Sequence, residues 1–249
     1  MRFAFRFRWI PFLAMLLVAG IGLALGEWQR GRANQKDDLA ATLSQRAALE
    51  PLVLRGGDKL PVLAQVEFRR VLAYGEFIAG WPVYLDNRPH GGAPGFYLLM
   101  PFRLGESGPT VLVLRGWLPR DPRDRSRLPP LVTPRGPVTI EGTLRRHPGH
   151  VLQLGEPAAI KPGAIVQNLS PADFTAASAM PVLNLIIEQS PGANGGNAVN
   201  DPSRDGLVRD WPQPSSGADK HRGYAFQWYA LAATAFLFFF VTGFRRGSK

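Results

Sequence analysis

Two apolar segments occupy the ends of this 249-residue chain, and arginine stands on the outer side of each. Segments of that kind predict a membrane hairpin, with everything else strung between its two legs. The first, residues 9–25, runs from Trp9 to Leu25; at about 1.5 Å of helical rise per residue it covers about 25 Å, slightly less than a hydrocarbon core about 30 Å thick. The second, residues 223–244, is uncharged from Tyr224 to Phe244 and reaches about 31 Å by the same rise. Two spans place both termini on one side of the bilayer.

The flanking charge predicts which side. Arg2, Arg6 and Arg8 precede the first span, and Arg245, Arg246 and Lys249 follow the second. Short basic flanks stay in the cytoplasm, so residues 1–8 and 245–249 are expected there and residues 26–222 on the far side. Trp9, Trp28, Tyr224 and Trp228 suit the interfacial layers at the helix ends. A competing reading treats the first span as a cleaved signal peptide, because Ala24-Leu25-Gly26 is a small-x-small triplet after an apolar run. The chain has no cysteine, so no lipid-anchored thiol is available. A mitochondrial form should carry an Arg- and Ser-rich presequence ahead of its first span, whereas here the span begins at residue 9. The expected home is a bacterial inner membrane, with the central part periplasmic.

The net charge of +10 raises the question of nucleic acid, but six of the basic residues sit in the two terminal flanks. The densest remaining basic run, Arg120 to Arg127, alternates with Asp121 and Asp124 and is broken by proline. That mixture reads as a solvated loop rather than a phosphate-binding stripe, so no nucleic-acid partner is expected. Without cysteine the exported part has neither disulfides nor thiolate metal sites, and a packed core must hold it together. Its length, about 200 residues, is ample for one such domain.

The pattern within that domain is mainly strand. Alternating or β-branched and aromatic runs cover Glu67 to Phe77, Pro82 to Asn87, Phe96 to Phe102, Thr110 to Trp117, Val138 to Leu144, Ala164 to Leu169 and Val182 to Gln189. Gly and Pro clusters separate them, as at residues 90–95 and 134–137, which predicts an antiparallel sheet or barrel. Residues 27–49 lack proline and are rich in Ala, Gln, Lys, Arg and Leu, so the first span is expected to continue outward as a helix. The chain should enter its sheet near Leu60, after a turn at Arg55-Gly56-Gly57-Asp58. A shorter helix over Pro171 to Ser178 has Ser170 as N-cap, Pro171 at its first position and Asp173 in its first turn. Ser190 to Gly217, dense in Gly, Pro, Asn, Asp and Ser, reads as an irregular connection back to the membrane. The fold class is thus α+β: two terminal transmembrane helices flanking one exported, mainly antiparallel β domain with a few helices.

Few residues offer chemistry. On a helix, steps of about 100° put Trp228 within about 20° of His221 and Ala225 about 40° away, so a histidine stands over a small residue and an indole. Such a stripe at the membrane boundary could supply an axial nitrogen to a haem iron, room for the macrocycle and an aromatic wall. Arg222, Arg30 and Arg32 could pair with its propionates. The same residues also suit plain interfacial roles, histidine as a polar boundary residue and arginine on lipid phosphate. His147 and His150 form an H-x-x-H interrupted by Pro-Gly, which reads as a turn, and His90 sits in a glycine-rich loop. Scattered methionines at 1, 15, 100 and 180 do not suit copper delivery. Motifs for serine hydrolases, zinc proteases and nucleotide binding are missing, and no enzyme activity is expected.

Taken in order, several short stretches resemble the surfeit-locus-one (Surf/Shy-type) family of cytochrome c oxidase assembly proteins. They are Gly26-Glu27-Trp28-Gln29-Arg30 with Arg32 and Lys36, Phe68-Arg69-Arg70-Val71 followed by Gly75-Glu76-Phe77, and Asn87-Arg88. Gly95-Phe96 leading to Pro101-Phe102, Arg115-Gly116-Trp117-Leu118-Pro119, and His221-Arg222-Gly223-Tyr224-Ala225-Phe226-Gln227-Trp228 complete the set. The resemblance implies an assembly factor that binds haem a as transient cargo and helps its insertion into the catalytic subunit. It implies that His221 ligates the iron, with Tyr224, Ala225 and Trp228 around it and Trp28 and Arg30 on the other helix, the two spans packing side by side with the haem resting between them. Oxidase subunits, a haem a synthase and the lipid bilayer are the implied partners. Arg115, Gly116 and Trp117 are expected to form a strand end and turn. Two other classes stay open: a scaffold that carries no haem, and a membrane-tethered enzyme or sensor.

Overall fold

A computed structural model describes residues 3–5, 7–57, 63–124, 127–153, 155–191, 205–212 and 217–246. Along the chain come β1 (Phe3–Phe5), α1 (Trp9–Ala48), β2 (Leu52–Leu54), α2 (Leu63–Val66), β3 (Arg70–Phe77), β4 (Val83–Leu85) and β5 (Gly95–Leu104). They are followed by β6 (Thr110–Pro119), β7 (Val138–Arg145), β8 (Ile165–Val166), α3 (Pro171–Ser178), β9 (Val182–Gln189), α4 (Ala218–Gly243) and β10 (Phe244–Arg246). Two compact units result: residues 1–44 with 212–249, and residues 45–211.

The first unit is an antiparallel helix pair. Both α1 and α4 are long and apolar enough to cross a membrane. Their contact is built from small residues: Ala19, Gly22, Gly26 and Ala33 are buried on α1, and Ala218, Ala225 and Ala232 on α4. The alanines of α4 recur every seventh residue, the repeat that keeps one seam facing a partner helix. A methyl group added at Gly22 would meet the Trp228 carbonyl oxygen at 2.9 Å, and one at Gly26 would meet the Tyr229 ring at 2.5 Å. The backbones therefore touch. Ile10, Leu17, Phe226, Phe238 and Val241 lie instead on the exposed surface. A pair with Gly and Ala inside and large apolar side chains outside has the distribution suited to lipid rather than water. At the terminal end, β1 pairs antiparallel with β10, and the Phe5 and Phe7 rings pack on Phe239. Arg2, Arg6 and Lys249, used above to orient the spans, lie outside the described residues.

The second unit is a closed barrel. Strand pairing runs β3–β7–β9–β6–β5 and returns from β5 to β3, with β2 added beside β3, and β4 then β8 beyond β5. Closure requires Gly75, because a side chain there would run into the Arg103 carbonyl of β5. Period-two alternation splits the apolar residues into two cores. Leu98, Met100, Phe102, Val111, Val113 and Ile187 fill one, while Leu99, Leu112, Leu114 and Ile186 face a second core completed by Phe174 of α3 and Trp211. Helix α3 begins with a capping box in which Ser170 and Asp173 satisfy each other's backbone N–H groups.

Several expectations need correction. The sheet is mixed: β2–β3, β4–β8 and β6–β9 pair in parallel. The chain enters it at Leu52, before the Arg55–Gly57 turn; Asp58 and Leu60 lie outside the described residues. Strand β3 begins at Arg70 rather than Glu67, because Phe68 adopts φ 68°, which extended backbone cannot accommodate. Only residues 165–166 of the run from Ala164 to Leu169 form a strand. Arg115, Gly116 and Trp117 lie within β6, not at a turn; a register shift leaves Arg115 without a partner across β5. Of the stretch read as a connection, residues 192–204 and 213–216 lie outside the described residues. The remainder is part of the barrel's packing: Val208 bridges to Trp117, and the Trp211 indole donates to the Gln189 carbonyl.

Candidate functional site

Helix α4 starts after Gly217, and His221 lies in its opening turns with Ala218 three residues before it and Ala225 four after. Both neighbours are buried in the seam, at 1% and 6% exposure. Gln29 occupies the matching place on α1, with buried Gly26 three residues before it and buried Ala33 four after. The two half-buried side chains meet, His221 Nδ1 lying 2.7 Å from Gln29 Oε1. Among the described residues this is the only hydrogen-bonding partner of the ring.

Two further polar contacts join the helices near this point. The Tyr229 hydroxyl donates to Glu27 Oε1 at 3.0 Å, and Arg222 donates to Asp37 Oδ2 at 2.5 Å. Arg222 also holds Asp219 at 2.9 Å, and Arg30 holds Glu27 at 2.7 Å. All these arginines and carboxylates are exposed, so solvent screens each pair and leaves it weak. The Arg32 guanidinium lies over the Trp28 ring, 5.8 Å from its centroid.

The residues singled out in the sequence thus fall into three settings. His221 faces α1 and is held by Gln29. Tyr224 and Trp28 present exposed rings, at 52% and 54%, and Trp228 is half-buried. Ala225 packs in the seam, so its small side chain permits close helix contact and leaves no gap for a flat macrocycle between the helices. A planar ligand would have to lie against the flank of the pair. Arg30 and Arg222 already hold carboxylates.

Among the described residues, no group of three or more His, Asp or Glu side chains gathers as a metal site. A metal at His221 would therefore need most of its ligands from a macrocycle, which is the donor set a porphyrin brings. His147 Nδ1 accepts from the Gly149 N–H, and His90 lies against the Trp117 ring, so each is engaged locally.

The barrel holds a different polar cluster. Arg115, fully buried, donates to Asp205 at 2.6 Å, to Thr133 at 3.1 Å and to the Val132 carbonyl at 3.0 Å, and lies over the Phe77 ring. Arg209 donates to the same Asp205 oxygen at 2.6 Å. Burial lowers the Arg115 pKa from its usual value, while Asp205 acts in the opposite direction. The cluster ties the segment after the long connection to β6. It is structural.

Residues 16–233 match the SURF1 family. The chain belongs to the SURF1 family. A SURF1-like protein of Monosiga brevicollis is 32% identical over 142 residues, 53% of this chain and 51% of the relative. The cytochrome oxidase assembly protein SHY1 of Saccharomyces cerevisiae is 30% identical over 98 residues, 39% of this chain and 25% of that protein. Surfeit locus protein 1 of Arabidopsis thaliana is 31% identical over 125 residues, 46% of this chain and 35% of that protein. The chain spans about half or less of the length of these curated relatives.

In this SURF1-family chain the family match takes in most of both long helices as well as the barrel. Side-by-side packing of the two spans is as expected, but a haem resting between them does not fit the closed seam, whose residues were not foreseen. Its signals were available: Gly22 and Gly26 form a G-x-x-x-G, and Ala218, Ala225 and Ala232 keep a seven-residue repeat. With those two patterns aligned antiparallel, Gln29 and His221 become neighbours.

Proposed function

We propose that this SURF1-family chain is a membrane-anchored assembly factor for cytochrome c oxidase that binds haem a through His221 and releases it to the catalytic subunit. The observation that carries the reading is the placement of His221: a half-buried imidazole with one nitrogen engaged by Gln29, at the end of a helix pair whose outer surface is apolar. Membership of the family and the name of the yeast relative support the oxidase assignment.

His221 supplies the axial nitrogen, and the exposed rings of Tyr224 and Trp28 and the half-buried Trp228 offer apolar surface along the flank. Arg30 and Arg222 can exchange weak surface carboxylate pairs for propionates at little net cost. The isoprenoid tail of haem a stays in lipid. Ligation by one imidazole on an open flank favours transfer over permanent retention. The chain binds and hands over rather than catalysing bond changes, and it is not an enzyme. The spans lie in a bacterial inner membrane with both termini cytoplasmic, and the barrel unit is periplasmic, where it meets oxidase subunits and a haem a synthase.

The test is twofold. A deletion strain should lose oxidase activity and haem a in its membrane spectra; unchanged oxidase would favour a tethered enzyme or sensor. The chain purified after coexpression with haem a biosynthesis should show a Soret band that His221→Ala removes. A wild-type protein with no haem in a strain that needs it for oxidase would favour the scaffold reading.

A further inference from the structure

We propose that Gln29 is a positioning residue that fixes the tautomer of His221, holding the proton on Nδ1 so that Nε2 carries the lone pair available to a metal. The inference deepens the haem reading above and rests on it for its functional meaning, although the tautomer itself is a property of the protein alone.

Gln29 Oε1, an amide oxygen, only accepts, so the imidazole nitrogen 2.7 Å away must be the donor. A neutral ring that donates from Nδ1 has its free lone pair on Nε2. Free histidine favours the opposite tautomer, with the proton on Nε2, which would block that nitrogen. Other metal-binding histidines are commonly oriented in this way, the non-ligating N–H being given to an oxygen acceptor.

The contact is also held from both sides. Gln29 sits between buried Gly26 and Ala33, and His221 between buried Ala218 and Ala225, each at the same −3 and +4 offsets. Each Cα is therefore set by a layer of small residues where the helices touch, and the two side chains close the gap between the layers. A neutral amide is a milder partner than a carboxylate, which would push the ring toward imidazolate and strengthen its bond to a metal. An amide suits a site that must let its ligand go.

The experiment uses the full-length protein in detergent micelles or nanodiscs. In the metal-free protein, 15N NMR of ring nitrogens, assigned by their loss in His221→Ala, should show His221 as the Nδ1–H form. Gln29→Leu, similar in size but without an acceptor, should shift it to the Nε2–H form. On haem a loading, Gln29→Leu should weaken binding about 10–100-fold and lower the iron–imidazole stretching frequency in resonance Raman spectra. Gln29→Glu should restore the wild-type tautomer and raise that frequency, and this rescue separates positioning from a general loss of folding. An Nε2–H wild-type ring, or a Gln29→Leu protein with unchanged tautomer and stretch, would overturn the inference while leaving the haem reading intact. Retention of all haem by His221→Ala would instead overturn the haem reading, and with it the metal-presenting role of Gln29.

Discussion

At the scale of single residues, the most consequential side chains for stability are charged ones inside the barrel. Removing one partner of a buried ion pair leaves the other charge uncompensated, which costs about 3–5 kcal/mol. Asp205→Ala, which takes the carboxylate away from the buried Arg115, should therefore destabilise the barrel by that amount, measured as loss of the denaturant midpoint by tryptophan fluorescence. Arg115→Lys should also destabilise, because one ammonium cannot replace the guanidinium contacts to Asp205, Thr133 and Val132 together. A variant within 1 kcal/mol of wild type (about fivefold in the folding equilibrium) would refute this. Glu188 gives a pH signature. Burial raises its carboxyl above the ordinary value of 4.5, with Arg145 at 3.3 Å working against the rise. The native state then binds more protons than the unfolded state between those two pKa values, so this residue's contribution falls as pH rises through that window. The unfolding free energy of wild type minus that of Glu188→Gln should decline as pH rises from about 4.5 and then level off. A rising difference would mean that the pair with Arg145 outweighs burial.

Between elements, the seam of α1 and α4 decides whether the site exists. A β-branched side chain at Gly26 would collide with the Tyr229 ring, whereas Gly20 has open space around it. Overpacking of a tight contact costs about 1–3 kcal/mol. Gly26→Val should lower the unfolding temperature of the purified protein and weaken the His221–Gln29 contact, while Gly20→Val should leave both near wild type; equal effects would show that the contact is not close. This scale also shows what the sequence made legible. Strands β6, β7 and β9 and helix α3 were evident because two-residue alternation in β7, β-branched apolar runs in β6 and β9, and a Ser-Pro-x-Asp start are local signals. The contact of Gln29 with His221 was not, because it joins residues 192 positions apart and depends on a register that only paired small-residue patterns set. Parallel pairing of β6 with β9 was hidden for the same reason, since alternation reports a strand's faces but not its neighbour.

For the whole molecule, the proposed membrane hairpin predicts where a reporter should work. An alkaline phosphatase fused into the loop at Gly136 should be active, and a fluorescent protein fused at the C-terminus should fold in the cytoplasm. The reverse pattern, or activity of both in one compartment, would refute the hairpin. Closure of the barrel has a kinetic implication. Strand β9 is inserted between β6 and β7, so both of those strands keep an open edge until residue 189 has left the ribosome. Unpaired edges of apolar strands are templates for misassociation. Biogenesis of this chain thus contains an interval in which most of the barrel's residues exist but the ring cannot yet shut, and any chaperone it needs must act before that final staple arrives.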